Sequence, residues 1–323
     1  MYDPYRAEPF LLEPGDRVRF VPQEGKVPAP PQPVELLREE GRPLLRIVNG
    51  GLLTPLVDGG RYRQGRYGLA RSGPLDPYSY TLANALLGNR LNAPALEISL
   101  LAPEIEALDD VMVALVGYGP SISGALEARS FTLRKGEVLK LMPGRRGARS
   151  YLAVAGGLDA IEFLGSVSPD LKGRIGRPLA AGDVLYGNSG RELLPRTWQL
   201  PALEAREITL RVCPGPQASK ESLAALTGSV FTVEKADRMG LRLGGAVALG
   251  GEVTSEAIPI GAIQVPAGGE PLLLLADRGT VGGYAKPAIV HPRDLWKAGQ
   301  LREGSRLRFE LNCQERLFCS AEL

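Results

Sequence analysis

The residues with most chemistry to offer fall in four segments. Asp58 to Asp76, DGGRYRQGRYGLARSGPLD, combines backbone-freeing glycines with Arg61, Arg63, Arg66 and Arg71. Guanidinium forks suit carboxylate or carbonyl-rich ligands, so Arg71 with Ser72 is a candidate substrate contact, although the run also reads as a solvated basic loop. Asp237 to Leu241, DRMGL, sets an acid and a base beside a glycine and reads as a surface ion pair. Ser255 to Pro266, SEAIPIGAIQVP, places Glu256 and Gln264 around a Pro-Ile-Gly turn. Gln264 interrupts an apolar strand; once buried it must find partners, either a ligand carbonyl or a neighbouring loop. Ala276 to Lys286, ADRGTVGGYAK, follows the apolar run Leu272 to Leu275. A strand ending in Asp277, Arg278 and Thr280, then a Gly282-Gly283 hinge, then Tyr284 and Lys286, can present acid, base, hydroxyl and phenol at a barrel rim. This is the strongest internal site candidate, with a structural turn as the alternative.

Other chemistries lack their residues. The single histidine, His291, precedes Pro292, which suits a structural role at a helix start and excludes a His-rich zinc site within the chain; no metal site is expected. There is no G-x-S-x-G elbow, P-loop, C-x-x-C or G-x-G-x-x-G between strand and helix. Lys+Arg 38 against Asp+Glu 36 leaves +2, with no basic field for nucleic acid. No apolar run approaches the roughly 18 residues of a membrane span. Cys213, Cys313 and Cys319 are too few for a disulfide framework and read as buried or tail thiols. The first ten residues lack the basic-then-apolar order of a signal peptide, so a cytoplasmic location is expected.

The elements that must position these residues are short. Gly 40 and Pro 27 make up about a fifth of the 323 residues, against a background of roughly 12%, which favours many turns between short strands. One unit recurs: a leucine, a glycine three residues later, then alternating apolar and charged positions, at Leu12–Phe20, Leu133–Leu141, Leu179–Leu185 and Leu301–Phe309. The glycine supplies φ > 0 and the alternation describes a strand with one wet face. Further strands are expected at 45–48, 96–101, 111–116, 151–154, 208–212, 229–233 and 272–275. A helix should begin after Asp76 as N-cap with Pro77 at its first position, bury Tyr78, Leu82, Ala85 and Leu86, and stop at Gly88-Asn89. Others should follow Ser219, ending near Gly228, and run from Pro292 to about Ala298. The fold class is mainly β, with a few short helices.

Several of these segments carry a resemblance. Ser72-Gly-Pro-Leu-Asp76, Ala83-Asn84, Gly88-Asn89, Ala95-Leu-Glu97, Tyr151-Leu-Ala-Val-Ala-Gly-Gly157, Asp237-Arg-Met-Gly240, Gly261-Ala-Ile-Gln-Val-Pro266, Leu275-Ala-Asp-Arg278 and Gly282-Gly-Tyr284 resemble, in order, the allophanate hydrolase subunit 2 family. That family is also called KipA-like, biotin-dependent carboxyltransferase-like or the C component of 5-oxoprolinase. The resemblance implies two cyclophilin-like β-barrel domains, expected at 45–195 and 196–310, with a C-terminal tail at 311–323. Residues 1–22 resemble the closing segment of the companion KipI-like family, the B component of 5-oxoprolinase, followed by a Pro-rich linker at 23–44; the chain is thus expected to be the rear of a fusion or to keep a remnant of one.

The activity implied is that of a component of ATP-dependent 5-oxoprolinase, opening 5-oxoproline to glutamate. Its implied partners are a KipI-like B component, adjacent or fused, a LamB/YcsF-like A component and a small amide substrate. ATP belongs to the assembled complex, and no Met-Lys-Met hairpin is present for covalent biotin. Arg71 or Arg278 can bind the substrate carboxylate, Gln264 and Tyr284 can donate to its carbonyl oxygen, and Asp277 or Lys286 can handle protons or phosphate, with Ser72, Glu256 and Thr280 completing the set. Asp76 reads mainly as a helix cap and Glu97 as a strand end. The alternatives are a KipA-like regulatory partner of a histidine-kinase inhibitor, and a carboxyltransferase-type domain acting on urea or a related amide.

Overall fold

The structure, a computed structural model, describes residues 12, 15–22, 25, 33–188, 194–204, 206–247 and 251–312. Its contacts divide the chain into Met1–Pro33 and Val34–Leu323. In the first unit Gly15 takes the turn conformation at φ 101, but residues 16–22 form no strand. Met1 to Leu11, most of the linker prolines, Cys313 and Cys319 lie outside the described residues.

The other three turn-plus-strand units form as expected, with Gly136, Gly182 and Gly304 at φ 86, 94 and 81. The second unit opens with β1 (Pro43–Asn49), β2 (Leu56–Val57), α1 (Pro77–Leu86), β3 (Ala95–Ser99), β4 (Glu104–Ala107), β5 (Val111–Gly117), β6 (Glu127–Leu133), β7 (Val138–Lys140), β8 (Arg149–Val154) and β9 (Val184–Tyr186). They make two sheets, β7-β4-β1-β9 and β2-β3-β8-β5-β6. Leu45, Ile47, Ile98, Val113 and Leu152 fill the core they share. The outer face of the five-stranded sheet is covered by α1, so β3 and β8 are buried on both faces although they carry Glu97 and Arg149.

Asp76 caps α1 by accepting from the Ser79 amide, with Pro77 at the first turn. The buried face is Tyr80, Ala83, Asn84 and Leu86, rotated from the expected one; Ala85 is exposed. The signal was hidden because the face carries a polar residue, Asn84, whose amide donates to the Ala93 carbonyl at 2.9 Å and accepts from Asn89 at 3.0 Å.

The chain continues with β10 (Ile208–Pro214), α2 (Lys220–Thr227), β11 (Val230–Ala236), β12 (Gly240–Gly244), β13 (Glu252–Ala257), β14 (Ala262–Val265), β15 (Leu272–Leu274), β16 (Val281–Val290), α3 (Leu295–Gly299) and β17 (Arg306–Leu311). Seven strands close a barrel in the order β10-β17-β11-β12-β15-β14-β16, sealed by the β10–β16 pair, with β13 beside β16. The barrel core of Leu210, Val212, Phe231, Leu243, Ile263 and Phe309 runs without a break into Leu75 and Tyr118 of the preceding assembly. α2 carries a Ser219 capping box and ends at Gly228. His291 accepts from the Arg293 amide at 3.2 Å, the structural helix-start role expected of it. Among the described residues no helix is long and apolar enough to cross a membrane.

Candidate functional site

The segment from Asp58 to Asp76 is anchored rather than solvated. Asp58 accepts from Ser166 Oγ at 2.5 Å, Ser168 Oγ at 2.8 Å and the Val167 amide at 3.0 Å. The loop then doubles back so tightly that a Cβ on Gly60, at φ 93, would lie 2.9 Å from the Arg71 carbonyl oxygen. Arg61 is 1% exposed; its Nε donates to the Phe163 carbonyl at 3.0 Å and its Nη2 to the Ser168 carbonyl at 2.9 Å. Burial lowers its pKa, with Asp170, Asp58 and Asp277 opposing. Arg63 and Arg66 stay exposed. Arg71 lies over the Tyr62 ring, 4.1 Å from its centroid, and donates to the Tyr62 hydroxyl.

Next to this loop lies a buried charge network. Arg238 is no surface ion-pair member: it is 5% exposed and uses its whole fork. Nε and Nη2 hold Asp277 at 2.7 and 3.1 Å, Nη2 also reaches the Gly73 carbonyl at 2.7 Å, and Nη1 donates to Glu97. Glu97 also accepts from Tyr151 Oη at 2.7 Å and the Leu75 amide at 2.9 Å, with Arg149 Nε 3.8 Å away. Burial pushes the Glu97 carboxyl up, but Arg238 and Arg149 push harder and hold it below the usual carboxylate range. Burial disfavours the Arg238 cation, yet Asp277 and Glu97 outweigh it and raise its pKa. Burial lifts Asp277 above its ordinary value against the pull of Arg238. Asp237, by contrast, only closes its own turn onto the Met239 and Gly240 amides.

The loop and the strand end meet where the Ser72 amide donates to the Ala276 carbonyl at 3.2 Å. A small cavity of about 70 Å³ opens there, lined by Arg71, Ser72, Leu75, Ile260, Ala276 and Leu295 among others. In the candidate segments several buried polar atoms have no hydrogen-bond partner: Arg61 Nη1, Gln64 Oε1, Ser72 Oγ, Gln264 Nε2 and Arg278 Nη1. Ser72 is held at φ 55, a region non-glycine residues rarely adopt. Arg278 donates through Nε to the Ile258 carbonyl at 2.8 Å, and burial, reinforced by Arg71, lowers its pKa to about 10. Gln264 is 5% exposed; a Cβ on Gly282 would stand 3.1 Å from its Nε2 and 2.8 Å from Ile258 Cδ1. Thr280 packs near the same loop, its methyl 3.9 Å from where a Cβ on Gly65 would be. Arg71 and Ser72 thus arrive from about 200 residues upstream beside the segment of Arg278 and Thr280, while Gln264 stands by Gly282 and Ile258.

Lys286, Glu256 and Tyr284 form a second cluster on β13 and β16. The Lys286 ammonium, 0% exposed, lies 2.8 Å from Glu256 Oε1 and 3.1 Å from the Tyr284 carbonyl oxygen. Gln217 closes the ring, donating to Glu256 at 2.8 Å and accepting from the Lys286 amide at 2.9 Å. Hydrogen bonds from Lys286 and Gln217 hold Glu256 below its usual range. The Tyr284 residue is 40% exposed. Glu256 pairs with Gly282, so that glycine stands between the two clusters.

Sequence reasoning missed the charge hub itself. Glu97, Arg149 and Arg238 are single residues in separate segments, and no spacing rule links them. The available signal was the placement of Glu97 and Arg238 in the family-like runs ALE and DRMG.

Residues 67–311 match the family model described as the carboxyltransferase domain, subdomain A and B. The chain is 34% identical over 282 residues to the C component of the 5-oxoprolinase of Escherichia coli (strain K12), covering 82% of this chain and 90% of that protein. It is 31% identical over 304 residues to the urea amidolyase of Lachancea kluyveri, covering 81% of this chain and 16% of that protein. The crystal structure of TTHA0988 superposes with a TM-score of 0.88 at 50% identity, over 96% of this chain. The chain spans 64% of that solved chain.

Proposed function

The chain belongs to the carboxyltransferase domain family of subdomains A and B, and from that premise we propose that it is the C-type component of an ATP-dependent 5-oxoprolinase. In the assembled enzyme it acts with KipI-like and LamB/YcsF-like partners, the B-type and A-type components, to open 5-oxoproline to glutamate.

The observation that carries this reading is the set of buried, unpartnered polar groups on the arginine loop and in the barrel's candidate segments that follow it: Ser72 Oγ, Gln264 Nε2 and Arg278 Nη1. A buried donor without an acceptor costs about 1–3 kcal/mol, and several in these segments favour a ligand rich in acceptors. A small cyclic amide with a carboxylate offers two carboxylate oxygens, a ring carbonyl oxygen and a ring N–H. Arg278 and Arg71 supply the cations for the carboxylate, the Gln264 amide donates to the ring carbonyl, and Ser72 Oγ accepts from the ring N–H. In the reaction a water oxygen ends on the carbonyl carbon, the ring C–N bond breaks and the nitrogen leaves as an amine. ATP hydrolysis by the complex drives the opening. Donors held on the carbonyl oxygen stabilise the charge that develops there. Asp277 and Lys286, engaged with Arg238 and Glu256, position this wall rather than react.

The test is ATP-dependent glutamate release from 5-oxoproline with all three proteins and with each omitted in turn. Release that needs all three is expected. No release from folded proteins that bind one another would overturn the reading in favour of a regulatory partner. The urea amidolyase match supports a second reading, carboxyl transfer to urea, which a parallel assay with carboxybiotin and urea would detect.

A further inference from the structure

A larger cavity, of about 450 Å³, lies away from the junction residues. Two loops form it, residues 118–126 after β5 and residues 143–147 before β8. Their backbones approach closely: a Cβ on Gly144 would lie 2.2 Å from the Gly119 carbonyl oxygen, and one on Gly147 would lie 3.1 Å from the Tyr118 carbonyl carbon. Paired bonds between Ser121 and Met142, at 3.0 and 2.8 Å, pin the loops together. The cavity is therefore a built feature of the fold.

Its lining has two characters. Arg145 and Arg146 are exposed on one loop, and neither has an acid partner among the described residues. Arg302, outside the lining, holds that loop by donating to the Gly144 and Arg145 carbonyls at 3.4 and 3.1 Å. The neighbouring acid, Glu127, has Oε1 2.6 Å from Arg129 Nε, while its Oε2 is buried without a hydrogen-bond partner. The remaining wall is Tyr118, Ala125 and Leu126 with Ser123, and the Tyr118 ring is backed by Trp296, 5.3 Å away and nearly parallel.

We propose that this cavity binds an organic phosphate, its phosphoryl group held by Arg145 and Arg146 and its organic body set against Ala125 and Leu126. Adjacent guanidiniums match a tetrahedral dianion through paired N–H donors. The volume lies within the roughly 300–1,000 Å³ of small-molecule sites, well above what a bare ion needs. An apolar wall opposite the cations suits a carbon framework. The site does not depend on which amide the junction handles.

Isothermal titration calorimetry of the full chain with adenosine diphosphate, ribose 5-phosphate and inorganic phosphate tests it. At least one organic phosphate should bind saturably and about tenfold or more tighter than inorganic phosphate. Tighter binding of adenosine diphosphate assigns a nucleotide, and tighter binding of ribose 5-phosphate a sugar phosphate. The double variant R145E/R146E should weaken binding about tenfold or more, whereas R90E/K172E, with the same charge change at exposed positions, should not. A125W, which fills the apolar side, should block the organic phosphates with its circular dichroism unchanged. Absence of saturable binding by every probe, equal loss in the two charge-reversal pairs, or organic phosphates binding no tighter than inorganic phosphate would each overturn the proposal.

Discussion

Arg238 and Glu97 stand 141 residues apart in sequence, yet Arg238 Nη1 donates directly to Glu97 Oε1 in a site almost closed to water. The same guanidinium holds Asp277 at the strand end that carries Arg278. One cation therefore joins the β3 strand to the barrel and fixes the wall of the candidate site.

Replacing Arg238 by Met should leave two buried carboxylates without their shared cation. Removing one partner of a buried ion pair typically costs about 3–5 kcal/mol, and a loss of that size is expected in urea unfolding. Arg238→Lys should recover only part of it, since an ammonium cannot reach Asp277, Glu97 and the Gly73 carbonyl in fork geometry. Unchanged stability in Arg238→Met would contradict the account of the network.

Asp76 gives the pH dependence a sign. Burial raises its carboxyl from 3.8 to about 6, so the folded state binds the proton more tightly than the unfolded chain. Its contribution is fully present below the unfolded pKa and is lost as pH rises through about 6, up to about 3 kcal/mol over the interval. Asp76→Asn should lack this loss, so its stability relative to wild type should rise between pH 4 and 7. Denaturant midpoints across that range measure the difference. Glu97 acts oppositely, since its depressed value gives stability that is lost on acidification.

Gly282→Ala probes the site without touching a charge. The added methyl would meet Ile258 Cδ1 at 2.8 Å and Gln264 Nε2 at 3.1 Å, both ends of side chains that can move. Stability should fall by less than about 2 kcal/mol, while displacement of the Gln264 amide should lower kcat of the assembled enzyme. Gln264→Ala should lower kcat about 10²–10³-fold if its amide serves the developing oxyanion. A change confined to KM would assign Gln264 to ground-state binding instead.

Lys286→Met separates a latch from a reactive amine. The methionine keeps most of the buried length and removes a buried cation, and the carboxylate left behind is not buried, since the Glu256 side chain is 40% exposed, so the cost of an uncompensated buried charge does not arise. Stability is expected to change by less than about 1–2 kcal/mol, with assembled activity retained within about tenfold. Abolished activity in a folded protein would assign Lys286 to proton or phosphoryl chemistry.

Local signals were legible wherever a local rule decides the outcome. The Asp76-Pro77 helix start, the helix after Ser219 and the His291 turn follow from side chains hydrogen-bonding within a few residues of themselves, and the three glycine turns from the positive φ that glycine adopts without strain. The buried face of α1 escapes such a rule because Asn84 is satisfied by groups at Ala93 and Asn89, and polarity alone argues against burial.

Composition, turn residues and short apolar runs determined a mainly β chain and marked the segments carrying Arg71, Gln264 and Arg278, because backbone freedom and hydrophobic period are local properties. Only the tertiary structure decided that Arg61 and Arg238 are buried, that Asp277 is already paired, and that Lys286 stands with Glu256. Burial and charge partners depend on which distant strands close the barrel and pack beside it, and nothing within a few residues of each side chain carries that information.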